Sequence, residues 1–135
     1  MSPSAARTLG VSIVVDAVTA YRCLSEPLNF PRWASGLATS LRQHDGRWWA
    51  ETPEGRAEVR FSPANEYGVL DHSVHLPGGQ VVHVPLRVVP HGDGCELLLT
   101  LFRQPAMTDA RFEADVQWVQ RDLQAAKTWL EGGVH

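Results

Sequence analysis

The chain of 135 residues lacks the features that make several protein classes easy to recognise. It has only two cysteines, Cys23 and Cys95, which lie far apart and form no CxxC pair. A zinc knuckle or thiol redox motif is therefore unsupported, and we expect two reduced, packed thiols. No apolar run approaches the roughly 20 residues that cross a bilayer, and residues 1–10 lack the apolar core of a signal peptide. We expect a cytoplasmic protein without a membrane span.

An excess of positive charge is also missing. Twelve Lys and Arg against fifteen Asp and Glu give a net charge of -3. A nucleic-acid-binding surface needs a basic face, so we expect no nucleic-acid partner. The sequence contains no GxSxG elbow, no P-loop and no GxGxxG opening a helix, and it has no Cys–His pair at a motif spacing. We expect neither a cofactor nor a structural metal, and covalent catalysis is unsupported.

What is present is ordinary for a globular protein. Apolar residues make up 44% of the chain and charged residues 20%, whereas disorder would require low hydrophobicity and high net charge. The length suits a single domain, because two halves would each be short of core. We therefore expect one domain covering residues 1–135.

The first third of the chain predicts a strand and two short helices. Residues 8–15 are apolar enough for a half-buried strand, and residues 16–25 change to helical spacing behind Asp16, a good N-cap. Two prolines in residues 26–33 permit a short helix or a turn but no long helix. Gly36 then releases the chain into strands.

Residues 38–104 predict six consecutive antiparallel strands, because turn sequences such as Asp-Gly and Pro-Gly-Gly recur between apolar stretches. Residues 108–131 predict the longest helix, with Thr108 as N-cap and Gly132 as stop. Its apolar stripe comprises Phe112, Val116, Val119, Leu123, Ala126 and Leu130.

Counting through the hairpins predicts which side chains share a face, since side chains alternate with period two. A loop at residues 78–80 sets His75 opposite His83 and Asp71 opposite Arg87. A register one residue different would bury Asp71 among valines and leucines, which is costly. The result is one concave apolar wall, formed by Trp48, Ala50, Ala57, Val59, Phe61, Leu70, Val74, Val82, Val84, Leu86, Val88, Leu97, Leu99 and Leu101, with His72 as its polar member.

Three stretches carry a resemblance to a known superfamily: residues 26–33 (EPLNFPRW), 68–74 (GVLDHSV) and 85–94 (PLRVVPHGDG). With the order of elements, they resemble a bacterial branch of the START-related, polyketide-cyclase-like superfamily called SRPBCC. The resemblance implies an α+β helix-grip fold with about seven strands, in the order β-α-α-β-β-β-β-β-β-α, wrapped around the C-terminal helix. It also implies a deep cavity between sheet and helix. The superfamily includes carriers, cyclases, dehydratases and hydrolase-like members, so the fold does not assign the chemistry.

Our leading functional hypothesis is the binding of an apolar or aromatic small molecule in that cavity. The apolar wall and the helix stripe would line it together, and two tryptophans would supply flat surfaces, although either is equally a core residue. The predicted ligand-binding residues are Trp33, Trp48, Val59, Phe61, His72, Val74, Val84, Leu86, Leu99, Phe112, Val116, Val119 and Leu123.

A rival hypothesis is a cofactor-free cyclase or dehydratase in which His72 is the acid/base. The alternative for His72 is a core histidine whose ring nitrogens are satisfied by backbone or Asp groups. Asp115 and Asp122 are seven residues apart, near one helix face, and could act with it, but such residues are more often solvated edges of an amphipathic helix.

Four other features are assigned lesser roles. His75 and His83 have the residue types of a metal site, but we expect them on the outer face as an exposed pair. Arg103 has inward parity near a strand end, where it would meet a ligand carboxylate or simply solvent. Trp49, predicted to be exposed, would serve a third hypothesis, a protein-interaction module. A homodimer is also possible.

Overall fold

The computed structural model describes residues 4–35 and 40–133. The elements, in chain order, are β1 (Ala6–Ile13), α1 (Ala17–Leu24), a 3-10 helix (Pro27–Arg32), β2 (Arg42–His44), β3 (Arg47–Thr52), β4 (Gly55–Phe61), β5 (His72–His75), β6 (Val81–Val84), β7 (Leu86–His91), β8 (Gly94–Phe102) and α2 (Asp109–Glu131). The predicted release at Gly36 and the predicted strand start at residue 38 lie outside the described residues.

The helices begin where the sequence predicts. The Asp16 carboxylate accepts a hydrogen bond from the backbone N–H of Thr19 at 3.0 Å and caps α1. The hydroxyl oxygen of Thr108 accepts from the backbone N–H of Arg111 at 3.1 Å and caps α2. Both side chains satisfy amide groups that a first helical turn leaves unpaired.

The strands form two antiparallel sheets that follow each other around the molecule. One has five strands in the order β2-β3-β4-β5-β6, and the other has three in the order β1-β8-β7. The prediction had a single strand after the loop at residues 78–80, but Pro85 divides it into β6 and β7. Pro85 has no N–H to donate to a neighbouring strand. The next N–H, that of Leu86, donates to the Asp71 carboxylate at 2.9 Å and not to a backbone carbonyl. The sheet curves from one half into the other there.

The predicted registers are confirmed at two hairpins. Glu51 lies opposite Arg56, and Leu86 lies opposite Leu99. The prediction that His75 faces His83 is wrong: β5 and β6 pair two residues away from that register.

The cause of the shift is the turn between β5 and β6. Leu76 bonds to Gln80 through its N–H at 2.9 Å, so the loop is residues 77–79. His83 consequently lies opposite Ser73, and His75 lies opposite Val81. A shift of two residues preserves the face of every side chain, so the apolar wall is unaffected.

Two hydrophobic cores form, one in each half of the sheet. The larger joins α1, the 3-10 helix, α2 and the three-stranded sheet, with Leu24, Leu86, Leu97 and Val116 fully buried. The smaller lies on β3, β4 and β5 and comprises Ala50, Ala57, Val59 and Val74. Helix α2 packs on β1 and β8, so the five-stranded sheet curves away from it and leaves a space. None of the helices in the described part of the chain is long and apolar enough to cross a membrane.

Both cysteines are free thiols, as predicted. Cys95 is buried in the larger core, and Cys23 is half-buried beside it. Burial raises the pKa of the Cys95 thiol, and the charges of Glu96 and Asp16 add to this effect. The Cys95 thiol therefore stays protonated and unreactive at neutral pH.

Candidate functional site

The space between the five-stranded sheet and α2 is a cavity of about 690 Å³. Its deep part is apolar and aromatic, with Phe30 and Trp33 from the 3-10 helix segment and Phe61 from β4. Small-molecule sites in proteins commonly measure about 300–1,000 Å³ and have this mainly apolar lining with a few polar groups. The cavity is large enough for a molecule of several rings.

The structure brings eight of the predicted residues to the cavity wall. The five-stranded sheet, β8, α2 and the 3-10 segment all contribute. The eight residues are Trp33, Val59, Phe61, His72, Val74, Val84, Leu99 and Val119.

Five predicted residues do not line the cavity. Leu86, Phe112, Val116 and Leu123 are buried in the larger core, between α2 and the three-stranded sheet. Trp48 packs on the smaller core and meets Phe61 edge-on, with ring centroids 6.4 Å apart. The apolar stripe of a helix faces the surface on which the helix packs, and for most of the α2 stripe this surface is the larger core and not the cavity.

Of the α2 stripe, Val119 lines the cavity, and the flank of the helix supplies the rest of the α2 lining. Arg111, Asp115, Trp118 and Asp122 line the cavity mouth from this flank. Their spacings of four, three and four residues place them on one helix face. The sequence shows these residues as a polar helix face with one tryptophan. The polar face of an amphipathic helix normally faces solvent, so the pattern alone does not predict a cavity lining.

Other lining residues come from irregular segments, where periodicity gives no information. Phe30 lies in the proline-containing 3-10 helix, and residues 104–108, here called the rim loop, connect β8 to α2. The turn between β3 and β4 adds Glu54 on the opposite side of the mouth.

The Arg103 side chain does not line the cavity, where the hypothesis has it meet a ligand carboxylate. Its guanidinium donates hydrogen bonds to the backbone carbonyl of Met107, at 3.1 Å and 2.7 Å, and also pairs with Asp109. The arginine thereby holds the rim loop, in which Ala106 has a φ of 64°. These contacts hold a loop that lines the cavity.

His72 lies in the cavity wall at the place where the sheet divides. It begins β5, opposite Phe61 on β4 and Val84 on β6. The rings of Phe30 and Phe61 flank its imidazole, with centroid distances of 5.7 Å and 5.9 Å. It also borders a smaller groove next to Pro85. The side chain is half-buried because part of it borders the cavity and this groove.

The imidazole of His72 is held by the backbone. Its Nδ1 lies 3.2 Å from the carbonyl oxygen of Leu70. Burial lowers the pKa of His72, and the Leu70 carbonyl and the charge of Asp71 oppose this effect without cancelling it. The ring is therefore neutral at neutral pH, as a base or a hydrogen-bonding group requires.

The two helix carboxylates differ in their partners. Asp115 accepts a hydrogen bond from the Arg111 guanidinium at 3.0 Å. Asp122 accepts from the Ser35 hydroxyl at 2.6 Å, and burial raises the pKa of Asp122 despite this bond. Both line the same cavity as His72, but each carboxylate already accepts a hydrogen bond, Asp115 from Arg111 and Asp122 from Ser35.

The outer histidines and Trp49 have ordinary surroundings. His75 is hydrogen-bonded through Nε2 to the Ser73 hydroxyl at 2.8 Å, and His83 is exposed. Within residues 4–35 and 40–133, no three His, Cys, Asp or Glu side chains are grouped to hold a metal ion. Trp49 was expected to be exposed, which is wrong: it is half-buried under the Arg56 guanidinium, 4.5 Å from the ring centroid.

No protein-family model matches the chain, and a search of the curated proteins found no match. Solved structures do match. The Aha1 dimer from Colwellia psychrerythraea has a TM-score of 0.70 at 11% identity, over 97% of this chain and 99% of that one. Ara h 8.0201 has a TM-score of 0.60 at 10% identity, over 96% and 99%. DynU16, from the dynemicin biosynthetic locus, has a TM-score of 0.67 at 11% identity, over 96% of this chain but 48% of that longer one.

Identities this low show the architecture alone, and fold does not determine function. The agreement extends over nearly the whole chain and includes both the curved antiparallel sheet and the long C-terminal helix. The chain therefore has the helix-grip fold.

Proposed function

We propose that this protein binds an apolar or aromatic small molecule in the cavity between the five-stranded sheet and α2. The observation that carries the proposal is the coexistence of an apolar space of about 690 Å³ with a fully formed core beside it. The larger core packs α2 against β1 and β8 through residues such as Leu97, Val116 and Leu123 that do not line the cavity, so the protein does not need to close the space in order to fold. Preformed apolar cavities with a polar mouth are typical ligand sites.

The comparisons support the proposal without identifying the ligand. DynU16 comes from the dynemicin biosynthetic locus, and its similarity favours membership of the START-related, polyketide-cyclase-like superfamily. The dimeric state of the Colwellia protein favours a homodimer, which light scattering after size-exclusion chromatography tests. The ligand itself should be sought by native mass spectrometry of protein purified from its host.

Binding can be tested without knowing the ligand. The fluorescent probe 1-anilinonaphthalene-8-sulfonate should bind the wild type, and Val84→Trp, which fills the cavity from β6, should weaken binding at least about tenfold. Val89→Trp is the matched control, because Val89 is exposed on β7 and does not line the cavity. Equal weakening by both substitutions, or probe binding that appears only as the protein unfolds, would refute the proposal.

A second candidate function is acid/base catalysis by His72 in the same cavity. It is favoured by an imidazole that stays neutral because of burial and that lines the wall where a substrate would lie. Here the protein would be a cofactor-free cyclase or dehydratase, and His72 would remove a proton next to a substrate carbonyl.

Proton exchange distinguishes this candidate from simple binding. In deuterated buffer, the protein should accelerate deuterium incorporation next to the carbonyl of 2-tetralone, an aromatic ketone, as followed by proton NMR. The His72→Ala variant should bind the fluorescent probe but lose the acceleration. An unchanged exchange rate in that variant would remove His72 from the reaction, and no acceleration by the wild type would count against this chemistry.

A further inference from the structure

The tautomer of His72 is fixed by its backbone contact. A carbonyl oxygen only accepts hydrogen bonds, so the Nδ1 that lies 3.2 Å from the Leu70 oxygen must carry the proton. Because the imidazole is neutral, the other ring nitrogen, Nε2, then has a lone pair and no hydrogen. His72 therefore presents a hydrogen-bond acceptor.

The geometry of β5 points to an Nε2 that faces the cavity. The side chain of His72 leaves β5 on the concave face, as do those of its cross-strand neighbours Phe61 and Val84, which also line the cavity. In an imidazole Nδ1 is next to the carbon that joins the ring to the chain, and Nε2 is at the far side. Since Nδ1 bonds back to the chain at Leu70, Nε2 is the nitrogen that extends away from the strand.

This acceptor has no partner in the part of the chain that the structure describes. Among residues 4–35 and 40–133, no donor is hydrogen-bonded to Nε2 of His72. In the described residues, the side-chain polar atoms that are both unpaired and completely buried are the indole nitrogens of Trp33 and Trp49. Nε2 of His72 is not among them, so it keeps some accessible surface. The rings of Phe30 and Phe61 beside it offer no conventional donor. An unpaired acceptor beside an apolar cavity increases the affinity for a ligand that supplies a hydrogen-bond donor, because a ligand without one leaves the acceptor unsatisfied.

On the basis of the proposed binding function, we infer that the cavity selects apolar ligands that carry a hydroxyl donor, such as phenols, and that Nε2 of His72 accepts this hydrogen bond. A ligand of equal shape whose oxygen has no hydrogen leaves Nε2 unpaired and binds less tightly. The preference should be about tenfold, as expected for one hydrogen bond in a desolvated site.

Matched pairs of probes test the inference: 2-naphthol against 2-methoxynaphthalene, and estrone against estrone 3-methyl ether. Affinity is measured by displacement of 1-anilinonaphthalene-8-sulfonate from the wild type and three variants. His72→Phe removes the acceptor and keeps an aromatic ring, and His72→Gln restores an acceptor oxygen. His83→Phe is the control, because that exposed histidine of β6 does not line the cavity.

The expected result is a tenfold preference for the phenols in the wild type and in His83→Phe, lost in His72→Phe and partly retained in His72→Gln. Thermal unfolding of each variant shows that it is folded before affinities are compared. Equal affinity of phenol and ether for the wild type, or displacement by neither, would overturn the inference while probe binding still upheld the cavity as a site. Failure of the fluorescent probe itself to bind the wild type would instead remove the proposed function.

Discussion

Replacing Leu86 by Ala and replacing Leu99 by Ala should have different consequences, although the two residues lie opposite each other on β7 and β8. Both residues belong to the larger core, but Leu86 has no exposed surface and does not line the cavity, whereas Leu99, which is 9% exposed, lines it. Each change removes three carbon atoms, and the transfer of about 0.8 kcal/mol per methylene or methyl group gives a loss of about 2.4 kcal/mol.

The difference arises from the space that each change creates. At Leu86 the surrounding core must retain a new void, which brings the total loss to about 3–5 kcal/mol. At Leu99 the vacated space joins an existing cavity, so the transfer cost of about 2 kcal/mol remains alone. For a chain of this length, each kcal/mol lowers the melting temperature by roughly 3–5 °C.

Urea unfolding of both variants, followed by tryptophan fluorescence, measures the two free energies, and unchanged m-values show that the unfolded states are comparable. Leu86→Ala should be the less stable variant yet should bind the fluorescent probe as the wild type does. Leu99→Ala should be the more stable of the two and alter probe affinity. If Leu86→Ala cost no more than Leu99→Ala, the division between a solid core and an open cavity would be refuted.

Three further predictions concern the frame around the cavity. The Arg87 guanidinium holds the pKa of Asp71 below its usual range. The ionised Asp71 carboxylate therefore stabilises the folded protein at neutral pH, and this contribution is lost as pH falls below about 4. Acid should consequently lower the unfolding free energy less in Asp71→Asn than in the wild type. Gly68 has a φ of 71°, and a Cβ there would lie 2.1 Å from a β7 carbonyl oxygen. Gly68→Ala should therefore lower the free energy of unfolding in urea by at least about 2 kcal/mol. The loss should exceed that of Gly92→Ala, whose Cβ would contact no other atom. Arg103→Gln should speed amide hydrogen exchange in the rim loop but not in β8, and equal protection of the loop would contradict its holding role.

The inner face of the sheet could be predicted from the sequence because alternation with period two is a strong constraint. Any register that keeps Asp71 and Arg87 together on the outside also keeps Val74 and Val84 inside. The register of β5 on β6 could not be fixed in this way. A shift of two residues changes which side chains are neighbours, as it does for His83, but leaves every side chain on its own face.

The cavity lining was harder to predict than the wall, because periodicity identifies a face but not what it meets. Val116 and Leu123 are on the apolar stripe of α2, yet the stripe packs on β1 and β8. Likewise, the inward parity of Arg103 says nothing about the carbonyl of Met107, which the rim loop brings within hydrogen-bonding distance. Positions in loops depend on such contacts between distant groups, which no short sequence pattern contains.

The charged flank of α2 gives a physical reason why the cavity stays open. For the five-stranded sheet to close on the helix, its apolar lining residues would have to cover charged groups of the α2 flank such as Arg111 and Asp122. Burying such groups costs several kcal/mol unless every one is paired, and the two cores satisfy the apolar residues without that closure. The sheet instead turns away at Pro85, where the Asp71 carboxylate replaces the missing ladder bond. The same polar groups that exclude collapse then form the mouth through which a ligand would enter.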